Sequence, residues 1–323
     1  MGAAAGPVGA GGVEVDVVAY GRPATNALAV RLVAAKQAHP LDPVTVVVPS
    51  NVAGLAARRV LATLPAGDGG RGGLANVQFV TPFGLAQLIG GPALAGRQPL
   101  TNPVLAAAVR RVLTDAPGMF AAVAGHDATH AAIIATYAEL SRAGDAAQQA
   151  IAAASTRGAE VVRVVRAVGD LLTGFYDEDT LAAAAAARIE SDAAAVAALG
   201  TVVWHLPGRA TPAMTALIAA VLAAAGQAAA IVALTGSADA DAAVLRTCAA
   251  AGVDVPEVSP PIAVVHADRI ISVTDADEEV RAVVREVLAL AEAGTALDRI
   301  AIAYPRRDPY ARTLVEQLRA AGI

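Results

Sequence analysis

The residues with the clearest chemical potential follow the first apolar run of the chain. Gly21 stands where a phosphate-binding loop of pattern G-x-x-x-x-G-K-[ST] would begin, but Asn26, Ala27 and Leu28 replace its Gly, Lys and Ser or Thr. In a working loop the lysine holds the terminal phosphates and the hydroxyl binds Mg²⁺. Lys36 is the only lysine of the chain, and it lies at the far end of the helix predicted to follow. We therefore predict that ATP and Mg²⁺ binding at this loop is lost.

We interpret Gly21, Arg22, Thr25 and Asn26 as a degenerate nucleotide loop. Backbone amides at a helix N-terminus can bind an anion without a lysine. Pro23 removes one of those amide donors. We expect weak anion binding at best, little nucleotide affinity and no hydrolysis.

A second group needed for hydrolysis is missing from a later predicted strand. An NTPase of this kind carries Asp-Glu at the end of a core strand, whereas the strand at 201–204 runs into His205-Leu206-Pro207-Gly208-Arg209 without a carboxylate. Two losses at the two decisive places support each other. The sequence predicts no catalytic residue.

Arginine pairs are the candidates for contact with DNA phosphates. The net charge of −5 predicts that any such contact is confined to a local groove. We single out Arg58 with Arg59 and Arg306 with Arg307, although such pairs are more often solvated helix surface. The second pair follows a predicted strand, and α/β sheets bind ligands at strand ends.

No metal site is predicted. His126 and His130 have the i, i+4 spacing of a zinc helix, but Asp127 replaces its Glu, a third ligand is lacking, and Asp127 is better explained as a helix N-cap. The acidic run at 275–279 is typical of a first helical turn. Cys248 is the only cysteine, which excludes a zinc site built on cysteines and an internal disulfide.

The elements that must position these residues alternate between strands and helices. Short, almost continuously apolar runs predict the strands of a parallel sheet covered on both faces, at 13–20, 44–48, 76–80, 201–205 and 229–234. The segments at 24–38, 51–63 and 211–225 have helical composition. This alternation predicts an α/β fold. It also makes the uncharged run at 210–238 a buried helix and strand and not a membrane span.

Composition changes divide the chain further. We predict a flexible leader at 1–12, a discontinuous α/β domain at 13–100 and 200–262, an all-helical insertion at 101–199, and the start of a second α/β domain at 266–323. Within the insertion, helices are expected at 157–176 and 177–190. In the last part, strands are expected at 269–274 and 299–304, and helices at 277–293 and 308–321. We expect the natural chain to continue beyond Ile323, or to be a degraded remnant.

The order of the motifs resembles the B subunit of AddAB-type helicase-nucleases and, more distantly, other UvrD-like superfamily-1 proteins. The similar segments are Val46 to Ser50, Val80 to Ala86, Phe175 to Leu181 ("YxDxxDLL"), Trp204 to Pro212 ("vxGFxxLTP") and Asp277 to Val283, with Tyr310 and the closing Ala320 to Ile323. The resemblance implies RecA-like domains, with DNA (single strands or duplex ends) and a UvrD- or AddA-like helicase subunit as partners. The single cysteine fits a reducing, cytoplasmic location. We expect an inactivated helicase-like module in double-strand-break repair.

Two alternatives stay open. The parent protein would be an active ATP-dependent exonuclease if a PD-(D/E)xK domain, with its own Mg²⁺, lies beyond residue 323. Otherwise the chain would be a non-catalytic scaffold or a gene remnant.

Overall fold

The computed structural model describes residues 12–63, 74–257 and 268–323, which belong to two compact units, Met1–Ala263 and Val264–Ile323. Except for Gly12, the predicted leader lies outside the described residues. The described part of the first unit contains seven strands: β1 (Glu14–Ala19), β2 (Val44–Val47), β3 (Val77–Val80), β4 (Gln98–Pro99), β5 (Phe175–Tyr176), β6 (Thr201–His205) and β7 (Ala228–Leu234).

Helices connect most of these strands. In the described part of the first unit they are α1 (Arg22–Ala35), α2 (Asn51–Ala62), α3 (Pro82–Gly90), α4 (Asn102–Asp115), α5 (Asp127–Ala154), α6 (Thr156–Leu171), α7 (Glu178–Ser191), α8 (Pro212–Ala224) and α9 (Ala238–Ala250). α5 is broken at Gly144, whose backbone is not helical (φ 79°, ψ 173°).

Five strands form one sheet in the order β1-β7-β6-β2-β3, and every pair in it is parallel. The five runs predicted as strands at 13–20, 44–48, 76–80, 201–205 and 229–234 are all strands within about two residues. A parallel ladder needs a crossover between neighbouring strands, and the helices supply it. The prediction of an α/β fold with a parallel sheet is confirmed, and the arrangement is compatible with a RecA-like domain. The run at 210–238 is α8 followed by β7, as predicted.

The sheet is covered on both faces. α1 and α2 pack on one face through a cluster that includes Leu28, Leu61 and Val203. α3, α7, α8 and α9 pack on the other face around Leu85, Leu181, Leu217, Trp204 and Cys248. Val203 and Trp204 point to opposite faces because side chains alternate along a strand.

α4, α5 and α6 form a cluster of their own around Val109, Ile133 and Val164. α7 lies in the predicted insertion but packs with the sheet. The prediction of an all-helical segment is wrong in one detail, because β4 and β5 form a two-residue parallel ladder. The helix predicted at 157–176 accordingly ends at Leu171, before Gly174, a residue with low helix propensity.

The second unit contains α10 (Ala276–Glu292) and α11 (Tyr310–Ala320), which pack through Val280, Val284 and Leu314. The strands predicted at 269–274 and 299–304 are wrong, since the described residues there have no ladder. A strand forms only when a second segment pairs with it through hydrogen bonds. The β-branched composition of a run does not guarantee that such a segment lies beside it. Ile270 is 90% exposed.

Candidate functional site

The place of the predicted nucleotide loop is a tight turn. Gly21 has φ 85° and ψ −131°, and α1 begins at the next residue, so Arg22, Thr25 and Asn26 belong to the helix. Pro23 suits a first helical turn because its φ is fixed near the helical value. The Thr25 backbone N–H already donates to the Gly21 carbonyl at 3.2 Å. The interpretation of these residues as a loop is corrected: the turn has too few residues to surround a phosphate.

The single lysine is engaged elsewhere. Lys36 lies after the end of α1, and its Nζ donates to the carbonyl oxygens of Ala75 (2.8 Å), Asn76 (3.3 Å) and Asp42. Its ammonium ties the end of α1 to the start of β3. It therefore has a structural role within the sheet layer.

A cleft of about 350 Å³ opens at the carboxyl ends of β2, β3 and β6. All three ends share one edge because the strands are parallel. Segments that follow these strands line the cleft with Pro49, Thr81, Phe83 and Arg209, and α7 adds Asp179 at its first turn. Four segments singled out for their resemblance to AddB-type proteins, at 46–50, 80–86, 175–181 and 204–212, thus meet here.

A polar chain crosses this cleft and joins three elements. Arg142 of α5 donates from Nε to Asp179 Oδ2 at 3.0 Å, and the Thr211 hydroxyl donates to Asp179 Oδ1. Thr211 also caps α8 by accepting the Met214 N–H at 3.3 Å, while Asp177 caps α7 by accepting the Thr180 N–H at 2.8 Å. Asp179 is thereby neutralised locally, although the first turn of α7 stays acidic.

Arg209 connects this cleft with a neighbouring groove of about 400 Å³ between α8 and α9, where Arg246 and Thr247 lie. Both arginines are exposed, and no carboxylate of the described residues forms an ion pair with either. Phe83 is 38% exposed at the cleft. Two free cations and a half-open aromatic ring suit a backbone phosphate and a stacked base.

The central strand ends in two buried rings. Trp204 is 3% exposed and belongs to the core on the face of the sheet covered by α3, α7, α8 and α9. His205 is equally buried, its Nδ1 has no hydrogen-bond partner among the described residues, and burial lowers its pKa to about 4. The ring is neutral at pH 7, and strand alternation places it on the face covered by α1 and α2.

Of the predicted arginine pairs, Arg58 with Arg59 lies in the same unit as the cleft but does not line it. Arg58 and Arg59 lie on the exposed side of α2, and Arg58 stacks on the Phe79 ring at 5.2 Å. Arg306 and Arg307 are exposed in the second unit just before α11. The reason given for favouring that second pair, a preceding strand, is wrong.

The histidine pair is explained without a metal. His126 precedes α5 as its N-cap residue, so the prediction that Asp127 is the cap is wrong by one residue. The His130 ring nitrogen lies 2.8 Å from the Ala124 carbonyl oxygen. Across residues 12–63, 74–257 and 268–323, no group of three or more His, Cys, Asp or Glu could hold a metal ion.

The acidic run caps α10. Asp275 Oδ1 accepts the N–H groups of Asp277 (3.0 Å) and Glu278 (2.9 Å), as expected for a first turn. Arg281 pairs with Asp277 at 2.7 Å and with Glu278 at 2.9 Å. The cluster is satisfied by its own helix.

The sequence reasoning missed Arg142, Arg246 and the exposed role of Arg209. Arg209 lies in the segment 204–212, which resembles a family motif. Arg142 and Arg246 belong to no motif, and only the packing of α5 and α9 places them at the cleft and the neighbouring groove. No helix in the described portions of the chain is both long and apolar enough to cross a bilayer.

No protein-family model matches this sequence, and a search among curated proteins returns no match.

Proposed function

We propose that this chain is a helicase-like module that holds DNA and docks a motor subunit in the repair of double-strand breaks, in the cytoplasm, without ATP hydrolysis of its own. The observation that carries the proposal is the cleft at the carboxyl edge of the sheet. Four segments that are separated in sequence and similar to AddB-type motifs converge there. The parallel sheet brings three of these segments to one edge, and the first turn of α7 adds the fourth, at 175–181.

Although α7 lines the cleft with Asp177, Glu178 and Asp179, the exposed arginines Arg209 and Arg246 support a strand of DNA as the occupant of the cleft and its neighbouring groove. Arg209 and Arg246 form a local basic path on a chain whose net charge is −5. Phe83 offers one ring face at the same edge. A phosphate-binding path with one aromatic platform is typical of sites that hold single strands without reading sequence.

The turn at Gly21 supports the absence of ATP hydrolysis. α1 begins directly after that glycine, and the only lysine bonds to three backbone carbonyls. A phosphate there would meet neither an encircling loop nor an ammonium group. Saturable binding of ATP at physiological concentration, or ATP turnover by the purified chain, would contradict this part of the proposal.

The test is DNA affinity as a function of salt. We expect a fluorescent oligothymidylate to bind at low salt and to weaken steeply as salt rises, because each neutralised phosphate releases counterions. Arg209→Ala and Arg246→Ala should each lower the slope of log affinity against log salt by about 0.7. Phe83→Ala should weaken binding about ten-fold at all salt concentrations, because stacking is worth about 1–3 kcal/mol per base.

Arg157→Ala is the matched control. Arg157 is exposed on α6, so its substitution removes the same charge at a position outside the cleft. It should leave affinity and slope close to the parent values. Absence of binding at low salt, or equal losses in Arg157→Ala and Arg209→Ala, would overturn DNA binding at the cleft.

A further inference from the structure

The outer surface of α1 and α2 exposes several large apolar side chains to solvent. Val30 and Val33 of α1 are 67% and 65% exposed, and Val52 of α2 is 76% exposed. Leu55 and Val60 of α2 are each about half exposed. We call these five residues the α1/α2 face.

The outer side of α1 carries exposed valines beside its polar residues. Its inner positions Ala24, Leu28 and Leu32 are buried, whereas Val30 and Val33 are exposed on the side that also carries Asn26. The helix therefore has apolar side chains beyond the stripe that faces the sheet. Contiguous exposed apolar surface on a folded chain marks an interaction site.

The charged residues of α1 and α2 all have one sign. Neither helix contains an Asp or Glu. Arg22, Arg58 and Arg59 are exposed, and none forms an ion pair with a carboxylate of the described residues. The face therefore combines an apolar centre with a basic edge.

Arg31 does not add to this edge. Its Nε donates to Asp16 Oδ2 at 2.6 Å and its Nη2 donates to Asp16 Oδ1 at 2.8 Å. It also pairs with Glu14. Its charge is thus matched inside the unit, on the side of α1 that faces β1.

From this apolar centre and basic edge we infer that the α1/α2 face docks an amphipathic helix of a partner protein, with acidic residues beside the apolar stripe of that helix. Apolar side chains would cover the exposed valines, and carboxylates would pair with Arg22, Arg58 and Arg59. Charge complementarity of this kind fixes orientation and excludes other partners. The inference rests on the docking part of the proposed function and names its surface.

The same charges argue against a second copy as the occupant. In a two-fold interface the same patch meets itself. α1 and α2 would bring six exposed arginines, three from each copy, and no carboxylate to match them. Exposed valines also distinguish the face from a phosphate-binding surface, which is polar.

The experiment uses a defined probe. A labelled synthetic helix of about 18 residues, long enough to span about 27 Å, carries Leu at i, i+3, i+4 and i+7 spacing and Glu on both flanks. A second peptide has Lys in place of every Glu. We expect the Glu peptide to bind the full chain at least about ten-fold more tightly than the Lys peptide, measured by fluorescence anisotropy.

Two substitutions locate the binding. The double variant Val33→Asp with Val52→Asp should weaken the Glu peptide at least about ten-fold, because it places carboxylates in the apolar centre and opposite the acidic flanks. Leu88→Asp is the matched control, since Leu88 is an exposed leucine of α3 on the other face of the sheet. It should leave the affinity unchanged, and circular dichroism should show that all variants fold.

Several results would overturn the inference. These are equal binding of the two peptides, no binding of either, equal losses in the control and the double variant, or self-association of the chain that the double variant abolishes. Binding to vesicles containing phosphatidylserine that depends on Val33 and Val52 would assign the face to a membrane instead. DNA affinity should be the same in the double variant and the parent, so a failure here is separate from a failure at the cleft.

Discussion

The two faces of the central sheet are covered to different depths. Of the described residues, 26 buried ones form the cluster on the α3, α7, α8 and α9 face, and 11 form the cluster under α1 and α2. On the deeper face α7 and α9 pack beside α8, so that α8 has neighbours on both flanks. On the shallower face one helical layer separates the strands from solvent and leaves valines on its outer side.

The difference suggests separate roles for the two faces: the deeper face stabilises the unit, and the shallower face is suited to binding a partner. The deeper face buries enough apolar surface to hold the unit together, at about 25 cal/mol per Å² removed from water. The shallower face contains the exposed valines and the buried His205 ring, whose Nδ1 has no partner in the described part of the chain, and a requirement for stability alone would remove both features. Substitutions on the two faces should therefore have different consequences.

The largest expected effect concerns His205. Its pKa is about 4 in the folded chain and about 6.5 when unfolded, so between these values only the unfolded state binds the proton. The free energy of unfolding should fall as pH drops from about 6.5 to 4, by about 3 kcal/mol in total, and should gain nothing from this group above 6.5. Urea unfolding at several pH values measures it.

His205→Leu is the control, because it removes the titration and keeps an apolar volume. The unfolding free energy of the parent minus that of His205→Leu should decrease by about 3 kcal/mol as pH falls from 6.5 to 4. Parallel curves from pH 7 to pH 4 would show that the ring is not the source of acid sensitivity.

The next effect is expected at Gly90, where α3 meets α7. A Cβ there would lie 2.7 Å from the Leu181 carbonyl oxygen and 3.0 Å from the Ala185 nitrogen. Both are backbone atoms, so the two helices would have to separate. Gly90→Ala should lower the free energy of unfolding by about 2 kcal/mol, measured by denaturant titration. Unchanged stability would mean that this contact is loose.

The smallest effect is expected at Gly54, the corresponding close approach under α2. A Cβ there would meet Val48 Cγ2 at 3.2 Å and Phe79 Cβ at 3.3 Å, which are side-chain atoms that can move by a few tenths of an ångström. The better helix propensity of Ala offsets that strain. Gly54→Ala should change stability by less than about 0.5 kcal/mol. A loss as large as that of Gly90→Ala would remove the distinction between the faces.

Sequence reasoning succeeded where a local pattern decides the structure. The runs at 44–48 and 201–205 could be predicted as strands because they are continuously apolar and rich in valine. The helix at 211–225 followed from Thr211-Pro212, a cap residue before a residue suited to the first turn. The missing lysine could be read directly from the sequence, since its absence at Ala27 needs no geometry.

Sequence reasoning failed where the structure of a segment depends on contacts with residues far away in the chain. The runs at 269–274 and 299–304 have strand composition but no ladder partner in the described unit. Gln98-Pro99 of β4 has little strand character, and β5 is only two residues long, so the pair forms because packing brings 98–99 beside 175–176. The candidate site was predicted only in part for the same reason: its segments were recognised one by one, but Arg142 and Arg246 join it through the helices that carry them.

The short ladder between β4 and β5 has a consequence for the architecture of the chain. The Gln98 N–H donates to the Gly174 carbonyl at 3.0 Å, and the Leu100 N–H donates to the Tyr176 carbonyl at 2.7 Å. The chain therefore departs for α4 and returns from α6 at a single point, and the helices between have their own core around Val109 and Val164. In this respect α4–α6 is a cassette with adjacent ends, a geometry that allows a segment to be lengthened, exchanged or excised while the sheet keeps its strand order.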